Sequence, residues 1–194
     1  MPMVSTQKMT ARQFLHMGED PPGVTLELVN GEIAVSPSPR PRHSRVDRQL
    51  TAILVTYVNK HKLGEVLGDT DTIFGEFDVR RPDIIFFAEA RAHLIKEDDV
   101  IDGPPDLCIE IISPKTRNID RNDKFKQYAD SGVKYYWIID PLVRTAEAFK
   151  LTGKSYRAAG RGTGSDVVQF APFPDLNIPL SQLWFPKRKN RQGI

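Results

Sequence analysis

Residues 107–112 read Leu-Cys-Ile-Glu-Ile-Ile, a short apolar run rich in β-branched side chains. Pro104-Pro105 closes it on one side and Ser113-Pro114 on the other. That pattern is a strand covered on both faces. Glu110 stands in the middle of it. A desolvated carboxylate is costly unless it meets a cation or strong donors. It can hold its proton, pair with a buried base, or bind a metal ion.

The same stretch continues to Pro141 as loop, helix, turn and strand. The helix is expected over 120–131, with Ile119, Phe125, Tyr128 and Ala129 on its inner side and Gly132 as its stop. Residues 135–139 make a third strand, closed by Asp140-Pro141. A further apolar strand, through Ile84 to Phe87, opens with Arg81-Pro82-Asp83. If these strands are neighbours, Asp83 and Glu110 can point at one spot, where two carboxylates cannot both stay ionised without a cation. Oxygen-only ligands, with the Ile111 carbonyl as a further donor, suit Mg²⁺ or Mn²⁺.

Upstream, Thr10 is an N-cap for a short helix carrying Phe14, Leu15 and Met17. Asn30-Gly31 between two apolar runs predicts a hairpin, because that pair accepts the positive φ angles of a type I′ turn. Residues 36–42 are proline-rich and read as extended. A long helix capped by Ser44 follows, with Val46, Leu50, Ile53, Leu54, Tyr57 and Val58 on one stripe and Gly64 just past its end. Residues 65–79 carry weak strand signals, and 88–102 read as a charged surface helix and loop. Residues 145–151 and 166–170 read as edge strands and 178–185 as a closing turn. Strands separated by helices argue for an α/β or α+β fold with a mixed sheet. One domain spanning 1–194 is expected, with 1–9 and the basic 187–194 as flexible tails.

Lys plus Arg is 27 and Asp plus Glu is 25, for a net charge of +2. Any phosphate-binding face must therefore come from local clustering, as at Arg40, Arg42, Arg45 and Arg48. Those arginines read equally as a solvated face. Cys108 is the one cysteine, so an internal disulfide and a CxxC metal site are excluded. No apolar run approaches the roughly 18 residues of a membrane span. The first residues lack the order of a secretory signal, and a cytoplasmic setting is expected. Gly160 to Ser165 lacks the Gly-Lys-Ser/Thr ending of a phosphate loop.

The spacing of Glu110, Ser113-Pro114, Thr116, Asp120-Arg121, Lys124, Tyr128, Gly132-Val133, Tyr136-Trp137 and Asp140-Pro141 resembles the bacterial putative restriction endonuclease family of the PD-(D/E)XK nuclease superfamily. Pro82-Asp83, Glu27 to Gly31, Ser36 to Pro39 and His43 extend the resemblance over most of 10–185. It implies a restriction-endonuclease-like core, a mixed central β-sheet flanked by helices, and a metal-dependent DNA endonuclease. Asp83 and Glu110 would hold Mg²⁺ (or Mn²⁺), which lowers the pKa of bound water and neutralises phosphate oxyanions. Lys124 would assist the attacking water. Glu27 and His43 are auxiliary candidates, as is Tyr128, which is also expected in the core with its hydroxyl on a polar partner. DNA is the implied partner, and a homodimer would be needed to cut both strands.

The wider superfamily places a lysine two residues after the glutamate, where this chain has Ile112. Lys124 matches the family's own lysine and shares a helix face with Asp120 and Tyr128. Lys115 is nearer in sequence but lies in a proline-flanked loop. Ile112 and the near-neutral charge favour an alternative, a catalytically inactive nuclease-fold module that binds nucleic acid or a partner protein. A third reading leaves Glu110 and Lys124 as a purely structural buried pair.

Overall fold

The computed structural model describes residues 8–114 and 116–186. Lys115, and the two expected tails apart from Lys8 and Met9, lie outside the described residues. The Thr10 hydroxyl accepts the Gln13 N–H and the Gln13 side chain accepts the Thr10 N–H, so helix α1 (Ala11–Leu15) starts with a reciprocal cap. Strands β1 (Val24–Val29) and β2 (Glu32–Pro37) pair antiparallel about Asn30 and Gly31, at φ 52° and 82°. The expected hairpin is there.

Helix α2 (Pro41–His61) begins earlier than the Ser44 cap predicts. Pro41 takes its first position, where the fixed φ fits and the missing N–H costs nothing. Ser44 sits inside the helix, its hydroxyl turned back to the Arg40 carbonyl at 3.5 Å. Val46, Leu50, Leu54 and Val58 form the buried stripe.

Strands β3 (Gly64–Gly68), β4 (Thr72–Gly75), β5 (Asp78–Arg80), β6 (Ile84–Ala88), β7 (Ile101–Asp102) and β8 (Leu107–Ile111) follow. Helix α3 (Lys124–Asp130) is entered through a widened π turn, Ile119–Asp123. Strands β9 (Tyr135–Asp140), β10 (Thr145–Thr152), β11 (Ser155–Thr163), β12 (Val167–Val168) and β13 (Ile178–Pro179) complete the order.

The expected mixed sheet is present as six strands in the order β11-β10-β9-β8-β6-β3, parallel only at β8–β9. A second, five-stranded sheet (β2-β1-β5-β4-β7) carries the hairpin, and β12 and β13 pair as a ribbon. Three readings need correction. Residues 145–151 are interior rather than edge, because β11 pairs outside them; its Gly160 and Gly162 sit under Phe170 and Val168. Only Val167–Val168 of 166–170 is strand. Ile119 is 40% exposed, because the π turn rotates it away from the core.

Every residue of β8 is buried. Leu107, Ile109 and Ile111 join the core that α2 covers. Cys108 and Ile112 join Tyr128 and Tyr136 on the opposite face, and Glu110 shares their side of the strand. Among the described residues no helix is long and apolar enough to cross a membrane.

A candidate active site of four carboxylates and one lysine

Ile84 of β6 pairs with Ile109 of β8 in an antiparallel register, so the next position outward sets Asp83 opposite Glu110. Both therefore lie at one end of the sheet. Asp83 Oδ2 accepts the Ile111 N–H at 2.6 Å, and its Oδ1 lies 3.0 Å from His43 Nε2. Glu110, 4% exposed, accepts the Lys124 ammonium on Oε2 at 2.9 Å and the Tyr128 hydroxyl on Oε1 at 2.7 Å.

Lys124 Nζ also stands 3.6 Å from Asp120 Oδ1 and 3.7 Å from Glu27 Oε1. Glu27 reaches in from β1, where its Oε1 accepts the Arg81 N–H at 3.0 Å and its Oε2 meets Arg80 at 3.1 Å. Arg80 donates to Gln127 Oε1 at 2.7 Å, and the Gln127 amide donates to Asp78 at 2.7 Å. Asp78 also accepts the Asn30 N–H at 2.8 Å. The hairpin turn of one sheet is thereby tied to the helix that carries the lysine.

The charge balance is the key property. Burial pushes Glu110 up to about 8, with Asp120, Asp83 and Glu27 adding to it and Lys124 opposing. Burial alone would lower Lys124, but Glu110, Glu27 and Asp120 outweigh it and hold the ammonium charged above the usual lysine range. Burial raises Asp120 as well, only partly offset by Lys124. Glu27 goes the other way: burial would raise it, but Lys124, Arg80 and the Arg81 N–H keep it below the usual range. Burial would lower His43, and Asp83 raises it past that. Among the described residues the carboxylates of the cluster outnumber the cations that face them, so a further positive charge there would be stabilised.

That donor set is all oxygen, as Mg²⁺ and Mn²⁺ require. Among the described residues no three His, Cys, Asp or Glu side chains converge as a closed metal cage. Mg²⁺ does not need one, since it binds through one or two carboxylates and keeps waters for a phosphate to displace. Each of these two carboxylates retains lone pairs beyond its present partners. The residues therefore fit an open divalent site.

The structure gathers Asp83, Glu110, Lys124, Glu27, His43 and Tyr128, all named from sequence, into one cluster. It adds Asp120, Arg80 and Gln127, which the sequence reading did not assign to the site. The signals for Asp120 were the Asp120-Arg121 pair of the family-like motif and its four-residue spacing from Lys124. Ile112 is 2% exposed and packs in the Tyr128 core. In the arginine cluster, Arg45 is turned inward to the Trp184 and Gln182 carbonyls, whereas Arg40, Arg42 and Arg48 are exposed.

The Uma2 family, described as putative restriction endonuclease, matches residues 11–181. No curated protein matches the chain. A crystal structure described as a putative nuclease from Anabaena variabilis ATCC 29413 superposes with a TM-score of 0.73 at 21% identity, over 90% of this chain and 97% of that one. Identity that low speaks for the fold alone, which is nuclease-like. With its family matched from α1 to the last short helical turn, the chain belongs to the putative restriction endonuclease family.

Proposed function

We propose that the protein is a divalent-metal-dependent DNA endonuclease that hydrolyses phosphodiester bonds. The observation that carries this reading is the pair Asp83 and Glu110, opposed across β6 and β8, with the Lys124 ammonium on Glu110. Asp83 and Glu110 would hold Mg²⁺ or Mn²⁺, which when bound supplies an activated water and neutralises phosphate charge.

The protein's own groups do the positioning. The Ile111 N–H and His43 Nε2 fix the two Asp83 oxygens. The Tyr128 hydroxyl fixes the second oxygen of Glu110. Lys124 orients the attacking water and sets positive charge where the phosphate gains negative charge. Glu27 and Asp120 hold the ammonium charged, and Arg80 holds Glu27 in place.

Plasmid DNA incubated with Mg²⁺ or Mn²⁺ tests this. The wild type nicks or linearises it, and chelation stops the reaction. Asp83→Asn, Glu110→Gln and Lys124→Met each lower the rate by about 100-fold or more. A wild type that never cuts under any divalent ion contradicts the proposal.

One observation favours a second reading. All four oxygens of Asp83 and Glu110 already have protein partners. In an inactive nuclease-fold module, those partners would stay and the protein would bind DNA without cutting it. Wild-type cleavage excludes that reading.

A further inference from the structure

We infer that the groove between the start of α2 and the β9–β10 turn is a binding subsite for an unpaired nucleotide. The inference rests on the proposed DNA substrate and says which form of DNA the protein engages.

The groove has a volume of about 490 Å³, and Arg42, Val46, Pro141, Arg144, Trp184 and Phe185 are among the residues that line it. That is within the range of small-molecule sites and ample for a base with its phosphate. Its chemistry is specific. Among the described residues no Asp or Glu lines it, while two arginines do, so it complements a phosphate. Arg42 is exposed. Arg144 donates one N–H to the Phe185 carbonyl at 3.1 Å, which orients its guanidinium at the rim. Phe185 is 47% exposed, so its ring is accessible from the groove. Arg45 lies against the Phe185 ring at 5.1 Å from its centre, fixing the ring's position. Trp184 is 4% exposed, and its indole N–H is bonded to the Gly164 carbonyl, so it serves as floor. Stacking on an aromatic face with arginine beside it is how proteins hold unpaired bases. A base inside a duplex presents no free face to Phe185.

The location fits the chemistry. Arg42 adjoins His43, which reaches Asp83. Pro141 follows Asp140, the end of β9, whose Ile139 pairs in parallel with Ile111. The groove thus opens at the same end of the sheet as the carboxylates. The turn beside it exposes Leu142 and Val143, which can lean on a splayed strand end.

The test is fluorescence anisotropy of labelled DNA in the absence of divalent ions. The probes are a short oligothymidylate, a blunt duplex of equal length, and that duplex with an unpaired flap. The proteins are wild type, Arg42→Gln, Phe185→Ser and Asp83→Asn, with thermal melts showing that each is folded. Wild type binds flap and oligothymidylate about tenfold or more tighter than blunt duplex. Arg42→Gln and Phe185→Ser erase that preference, and Asp83→Asn keeps it. Equal binding to all three probes, or a preference that survives both groove variants, overturns the inference. So does a wild-type dimer in sedimentation that Phe185→Ser converts to monomer with DNA binding unchanged, because the groove is then a contact between copies. If no DNA is cut but the preference holds and depends on the groove, the hydrolase reading fails and the subsite stands.

Discussion

Lys124 Nζ lies 2.9 Å from Glu110 Oε2, and both side chains are less than a tenth exposed. The pair joins helix α3 to strand β8. It supplies to the glutamate the ammonium that Ile112, two residues along the strand, cannot. Lys124 faces Glu27 and Asp120 as well, so one cation serves three buried carboxylates.

That inequality predicts an asymmetry between two substitutions. Lys124→Met removes the cation all three share and costs about 3 kcal/mol of stability without metal. Glu110→Gln keeps one acceptor, for Lys124, lets its new amide N–H donate to the Tyr128 hydroxyl oxygen, and relieves crowding of negative charge, so it costs about 1 kcal/mol or less. Urea unfolding of both variants at neutral pH without metal measures this. A larger loss in Glu110→Gln would show that the glutamate is held as a simple ion-pair partner.

A pH dependence follows from Asp106, away from the site. Burial would raise it, but the Lys134 ammonium at 2.8 Å, the Ala88 N–H at 3.0 Å and Arg91 at 3.2 Å outweigh burial and hold it below the usual range. Its folded pKa is depressed, so its contribution is complete above its unfolded value of about 4 and lost as pH falls through the folded value. Asp106→Asn costs about 2 kcal/mol at neutral pH, limited by the exposure of Lys134. The gap to wild type closes below pH about 4. Chemical denaturation across pH 2–7 measures it, and a constant gap would contradict the account.

Gly64 ends the left-handed exit from α2 at φ 140°. A Cβ there would sit 2.0 Å from the Phe87 carbonyl oxygen, within the β3–β6 pairing. Gly64→Ala must therefore displace the edge strand and costs about 3 kcal/mol or more. Thermal melting reads this directly. A melt within error of wild type would mean that β3 can shift freely.

Much of the site was legible because its chemistry is local to short motifs. Asp83 beside Pro82, Glu110 inside an apolar run, and Lys124 four residues from both Asp120 and Tyr128 are visible in the chain itself. So were the Asn30-Gly31 turn and the Thr10 cap, whose rules need only neighbouring residues. Arg80 and Gln127 were not legible. Each is an ordinary polar residue until two sheets and α3 converge on Glu27. The start of α2 was misplaced because Ser44 satisfies a capping rule that Pro41 pre-empts. The second sheet was missed because periodicity marks strands without saying which of them pair.

The central claim is that Asp83 and Glu110 together hold a divalent cation, and a melting curve with and without Mn²⁺ tests it without needing cleavage. An ion that binds only the folded protein raises its melting temperature by mass action. The account predicts a rise that grows with Mn²⁺ concentration in wild type and disappears in both Asp83→Asn and Glu110→Gln. An equal rise in those variants, or none in wild type at any Mn²⁺ concentration, would contradict it.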